Sequence, residues 1–141
     1  MSDKLERKDI DKTKIDWNAH AAYWDEFDEA RDYTDQIFAL LSKKITLDGL
    51  NILDFGCGTG LLTDQMQPLA NQIVAVDSAE KMIEVLDAKQ YANVKSICSE
   101  LTDECIEANT ALQQTFDLIT ASSVCAFCRI IKTYSAVLNR F

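Results

Sequence analysis

The stretch Leu53-Asp54-Phe55-Gly56-Cys57-Gly58-Thr59-Gly60 leaves this chain few folds to choose from. Leu50 to Phe55 (LNILDF) reads as a buried strand, an apolar run that follows the turn pair Asp48-Gly49. Glycines directly after a strand let the backbone turn through conformations closed to other residues. They also leave room for a ligand to touch the main chain. A short helix is expected over Leu61–Gln67, with Pro68 near its end. The start of such a helix presents unpaired N–H groups to the same space.

The rest of the chain repeats this alternation. Gln72–Asp77 (QIVAVD) reads as a second strand and Ala79–Ala88 as a helix with Met82, Ile83, Val85 and Leu86 on its apolar face. Val94–Cys98 is a short third strand, residues 103–114 are helical, and Phe116–Ala121 is a fourth strand. In 129–138, Ile130, Ile131, Tyr134, Val137 and Leu138 fit an amphipathic helix. Upstream, 17–46 reads as helical, with Trp17, Ala21, Trp24 and Phe27 on one face and Ile37 to Ile45 on a second. Residues 1–14 alternate five bases with four acids and read as a mobile tail, a partner-binding arm being the alternative. Strands alternating with helices imply a mostly parallel sheet with crossover helices, an α/β layered fold. Ligands bind such sheets outside the carboxyl ends of the strands. That directs attention to Asp54–Gly60, Asp77–Ser78, Ser99–Leu101 and Ala121–Ser123.

The 141 residues suffice for about one domain. Apolar residues make up 48% and charged residues 26%, which rules out wholesale disorder. Against 23 acids stand 14 Lys plus Arg, a net charge of −9. Such a chain repels phosphate backbones, so a nucleic-acid partner is disfavoured, as is an anionic membrane surface. Seven acids between Asp16 and Asp35, with Arg31 the only Lys or Arg, read as a solvated helix face. The five cysteines, an odd count with no leader before them, argue against a disulfide framework. No window approaches the roughly 18 apolar residues of a membrane span. A reduced, cytoplasmic protein is expected.

Two carboxylates sharpen the glycine-rich turn. Asp77 ends the next strand, where it can accept two hydrogen bonds from the vicinal hydroxyls of a ribose. Asp54 stands just before the glycines, where a negative charge is awkward beside a pyrophosphate but suits an ammonium or sulfonium. A dinucleotide site wants GxGxxG; this chain has GxGxG, with Leu61 where the last glycine would be. There is no GxxxxGK[ST], so a P-loop is excluded. Capping a helix or turn is the alternative role for both acids. Cys125-x-x-Cys128 lacks two further ligands at sensible spacing, so no metal site is expected. The lone His20 reads as structural or exposed rather than as a base.

LDFGCGTG followed by VAVDSAEKMI resembles the class I, Rossmann-like S-adenosylmethionine-dependent methyltransferases of small-molecule type. WNAHAAYWD is similar to the helix that often precedes their core, and FDLITASSV to their fourth strand and the segment after it. The likeness covers roughly residues 17–127. It implies a three-layer sandwich with an N-terminal helical segment, the domain running over 15–141 with its α/β core from 50, and S-adenosylmethionine as cofactor.

The resemblance also implies roles. Gly56, Cys57 and Gly58 would approach the methionine part with their backbone, and Gly60 closes the same loop. Asp54 would orient the ammonium, directly or through water, and Asp77 would hold the ribose hydroxyls. Ser78 and Met82 would border the adenosine. Ser99, Glu100 and Leu101 lie where the adenine is held. Ser122 would face the reacting end, and Tyr23 would close the pocket from the N-terminal helix. Core packing is the rival role for Met82 and Tyr23, and a solvated loop for Glu100. No fixed catalytic residue is required by the chemistry, so none is named. Ala121-Ser122-Ser123-Val124 lacks the [ND]PP[YF] pattern of amino-group methylation on DNA bases and glutamine, which, like the acidic charge, points to a small-molecule acceptor.

The chain departs from the family after its fourth strand. The resemblance implies seven strands, of which the last three are expected to be missing, leaving an unprotected sheet edge open to self-association. Residues 128–141 hold three bases and no acid, suggesting a change of reading frame near Phe127. Two rivals therefore stay open: a cofactor-binding protein that has lost turnover, and a nicotinamide-dependent oxidoreductase.

Overall fold

A computed structural model describes residues 17–26 and 28–121. Its centre is a four-stranded parallel sheet in the order β3-β2-β1-β4, from β1 (Asn51–Phe55), β2 (Gln72–Asp77), β3 (Val94–Cys98) and β4 (Leu118–Thr120). Every link between strands is a crossover, as the alternation of strand and helix requires. The chain runs outward from β1 to β2 and β3, then returns to β1's other side with β4. The order therefore reverses at the carboxyl ends of β1 and β4, where open α/β sheets bind ligands.

Period-two alternation sorts the two faces of the sheet. Leu53, Phe55, Val74 and Val76 point to one face and pack with Ile97, Leu101, Cys105, Ile106, Leu112 and Phe116. On the other, Ile52 and Ile73 meet Leu62 and Met66 of α3 (Leu61–Met66), with Ile37, Phe38 and Leu41 of α2 (Asp28–Lys44) against them. Ala75 meets Ile83 and Leu86 of α4 (Glu80–Ala88). Helices on both faces make the expected three-layer sandwich.

Two predicted helices break. The stretch 17–46 divides into α1 (Trp17–His20), a 3-10 turn at Trp24–Glu26, and α2. The helical reading of 17–46 holds at its two ends, but tertiary bonds turn the chain between them. Ala21 buries against Ala79 and Met82, Asn18 Oδ1 accepts from the Lys81 N–H at 2.9 Å, and Asp25 pairs with Thr59. The stretch 103–114 becomes α5 (Asp103–Ala108) and a 3-10 turn at Thr110–Leu112. Thr102 starts α5 by accepting from the Cys105 N–H at 3.1 Å. Asn109 ends it in an extended conformation, its amide donating to the Cys105 carbonyl at 2.8 Å. The expected helix at 129–138 and the Cys125–Cys128 pair lie outside the described residues. Cys57, Cys98 and Cys105 are free thiols, and no helix among the described residues is long and apolar enough to cross a membrane.

Candidate functional site

The loop after β1 is built by three glycines with positive φ: Gly56 (+68°), Gly58 (+59°) and Gly60 (+88°). The N–H groups of Gly56 and Cys57 both donate to the Val76 carbonyl, at 2.8 and 3.1 Å, which ties the loop to the end of β2. A β-carbon on Gly58 would meet nothing within 4 Å, so this part of the loop faces open space. Gly60 is different: a β-carbon there would lie 2.6 Å from Leu86 Cδ1. Close packing of the loop on α4 by itself requires glycine there.

Asp77 ends β2 half-buried. Its Oδ2 accepts from the Gly58 N–H at 3.0 Å and its Oδ1 from the Ala79 N–H at 2.8 Å. One backbone donor fixes each oxygen, and each keeps further acceptor capacity. The Asp77 carbonyl also accepts from Ser99 N–H at 3.0 Å, bringing the end of β3 alongside.

Asp54 is buried. Alternation puts it on the α3 face of β1, and register sets it beside Thr120 of β4 and Ala75 of β2. Thr63 of α3 donates to Oδ2 at 2.6 Å, and Thr120 donates to Oδ1 at 3.0 Å. Burial pushes its carboxyl up from 3.8 to about 6; the two hydroxyls pull the other way, and the charge of Asp77 adds to the rise. Burial, with Asp54 and Asp77 nearby, likewise raises the Cys57 thiol well above its usual range, so it stays protonated and is no nucleophile.

A small cleft, partly open to solvent, lies over this loop. Asp54, Gly56, Cys57, Leu61 and Leu62 line one side; Trp24, Ala30, Tyr33 and Thr34 line the other. Ala30, Tyr33 and Thr34 stand at i, i+3 and i+4, one face of α2, a pattern readable in the sequence but overlooked there.

The remaining expected site residues divide. Ser78 and Glu100 are exposed, and Ser99 is half-buried with its hydroxyl donating to the Glu100 carbonyl at 2.8 Å. Leu101 is fully buried in the core, so its side chain is a packing group. Met82 is likewise buried, between α4 and Ala21, with Trp24 against it. Tyr23 does not close the cleft: it is 59% exposed, because the chain turns at 21–26, and Trp24 and Tyr33 take its place. Ser122 lies outside the described residues, and His20 is exposed on α1.

Comparison with known proteins bears on this geometry. The family model described as "Methyltransferase domain" matches residues 53–141. The chain belongs to this methyltransferase family. The match runs across Phe127 to the last residue, through the stretch whose composition suggests a change, and it takes the chain away from the oxidoreductase reading. Among curated methyltransferases, the chain is 37% identical over 78 residues to a ubiquinone biosynthesis O-methyltransferase of Methylocella silvestris, covering 55% of this chain and 30% of that one. It is 31% identical over 111 residues to the protein of that name from Cereibacter sphaeroides, covering 73% and 44%. The chain thus spans less than half the length of these relatives. Two solved structures share the fold. A DhpI–SAM–HEP complex has a TM-score of 0.51 at 19% identity, over 65% of this chain and 53% of that one. Magnesium protoporphyrin IX methyltransferase of Synechocystis with bound SAM has 0.50 at 23%, over 63% and 42%.

Proposed function

We propose that this methyltransferase domain binds S-adenosylmethionine across the loops after β1 and β2 and serves methyl transfer to a small-molecule acceptor. The observation that carries the reading is the pair of carboxylates about an open glycine loop. Asp54 lies under the cleft and Asp77 at the end of β2, with Gly58 N–H bound to Asp77 between them. Two negative groups so close disfavour a pyrophosphate. They suit a ligand with a cationic amino-acid end and a ribose diol.

In this reading Asp77 holds the ribose hydroxyls and Asp54 orients the ammonium. Gly56, Cys57 and Gly58 meet the methionine part through backbone, and Ser78, Ser99 and Glu100 border the adenosine. Met82 and Leu101 support those segments from the core. When bound, the cofactor supplies an electrophilic methyl on a sulfonium. The protein's task is to align donor and acceptor and to exclude water. Trp24 and Tyr33 cover the cleft for that purpose. The names of the curated relatives support an oxygen acceptor on a small molecule. The free thiols support a cytoplasmic location.

Calorimetric titration with S-adenosylhomocysteine tests the cofactor site. Micromolar binding that Asp77→Ala weakens by about 1–3 kcal/mol, the cost of stranded hydrogen bonds, is the expected result. A folded, monomeric sample that binds none overturns the reading. Binding without methylation of any phenolic or catecholic acceptor tried would instead favour a domain that kept the pocket and lost turnover.

A further inference from the structure

We infer that Lys89 is a positioning residue, a latch that fastens the Trp24–Glu26 turn over the cleft and sets the glycine loop beneath it. The inference rests on the proposed cofactor site for its consequence, not for its geometry. Lys89 caps the C-terminal end of α4, where a cation is favourable. Its ammonium reaches three other elements. It donates to the Thr59 carbonyl at 2.8 Å and to Asp64 of α3 at 2.9 Å, and stands 3.4 Å from Asp25 in the N-terminal 3-10 turn. Those three partners match the three donors of an ammonium group.

Thr59 is held at both ends. Lys89 takes its carbonyl, while its hydroxyl donates to Asp25. Thr59 is fully buried and stands between Gly58 and Gly60, so its orientation sets theirs. Gly58 in turn donates to Asp77. Through Asp25, Lys89 also acts on the neighbouring Trp24, which lines the cleft and packs on Met82 and Ala79. Without the ammonium, Asp25 and Asp64 would face each other as uncompensated carboxylates across the join. Each carboxylate keeps one hydroxyl donor, Tyr91 at 2.9 Å for Asp64 and Thr59 for Asp25, but both lose the one cation that joins them. One cation thus couples the roof of the cleft to its floor while touching no ligand.

The test compares wild type with Lys89→Met, Lys89→Arg and Asp25→Asn. Dissociation of S-adenosylhomocysteine is followed by tryptophan fluorescence in stopped flow. Backbone hydrogen exchange is measured without ligand. Lys89→Met is expected to speed dissociation about tenfold or more, beyond what its lowered melting temperature accounts for, since removing the cation of a largely buried cluster also costs some global stability. Amides of 21–26 and 57–60 exchange faster, while those of β1 and β2 do not. Lys89→Arg restores most of the retention, and Asp25→Asn falls between. Wild-type dissociation quickens from 50 mM to 500 mM salt and that of Lys89→Met does not. Unchanged exchange at 21–26 and 57–60, or dissociation that merely tracks a global loss of stability, overturns the latch. If wild type binds no S-adenosylhomocysteine, the cofactor proposal falls and the exchange data alone decide the latch.

Discussion

At Gly60 the backbone stands at φ +88°, and a β-carbon there would press on the buried Leu86 side chain. Both facts require glycine, for separate reasons. A left-handed conformation costs a residue with a β-carbon roughly 1–2 kcal/mol, and overpacking a core adds roughly 1–3. Gly60→Ala should therefore destabilise the domain by about 2–5 kcal/mol in urea unfolding. Gly58→Ala, which faces open space, should cost only the backbone share, about 1–2 kcal/mol. Equal losses at the two positions would contradict this division of roles. The glycines were legible as a turn, because their spacing after a strand is a local signal. Their separate duties were not, because Leu86 meets Gly60 only once α4 packs on the loop. Asp54 and Asp77 were legible for the same local reason. Thr63 and Thr120, which hold Asp54, were not: they come to it through a helix crossover and a strand register.

At the scale of elements, the strands and the helices that cover them were readable because each carries its own period. β2 and β3 fall on the expected residues, while β1, α3 and α4 are each one residue shorter. The failures lie where tertiary bonds override periodicity. The 17–46 stretch keeps helical spacing in its aromatics, yet Asn18, Ala21 and Asp25 each find a partner on α4 or the loop, and the chain there is a short helix and a 3-10 turn. α4 ends at Ala88 as expected, although no glycine marks the stop. Gln90 follows it at φ +55°, the only described residue other than glycine with positive φ, where helices commonly place glycine. The turn there sets Lys89 and Tyr91 together on Asp64. Gln90→Gly should stabilise the domain by about 0.5–1 kcal/mol, the relief of the left-handed conformation less the entropy glycine brings to the unfolded chain. Thermal unfolding of the two proteins side by side measures it. A loss of stability would mean that the Gln90 side chain contributes more than its backbone costs.

For the molecule as a whole, the charge on Asp54 links stability, pH and cofactor affinity. In the fold Asp54 keeps its proton up to about pH 6, against 3.8 when unfolded, with the neutral Cys57 thiol beside it and Asp77 adding to the rise. Between those values the native state binds more protons than the unfolded state, so stability falls as pH rises. The full loss, complete above pH 6, is about 3 kcal/mol. A cationic amino group in the cleft reverses the preference, since an adjacent positive charge favours the carboxylate. Binding then expels the proton, and affinity for S-adenosylhomocysteine should rise by up to about tenfold per pH unit over the same window. The unliganded protein thus becomes less stable as the site becomes more competent. Asp54→Asn keeps the side chain's shape and removes its titration. It should stabilise the unliganded domain by about 1–3 kcal/mol at pH 7.5, weaken binding, and flatten both pH dependences. Urea unfolding and calorimetric titration at pH 5, 6 and 7.5, on both proteins, measure the two slopes together. Slopes that survive in Asp54→Asn would assign the linkage to other carboxylates. Slopes that vanish together would mean that the charge which destabilises this fold is the one that receives its ligand.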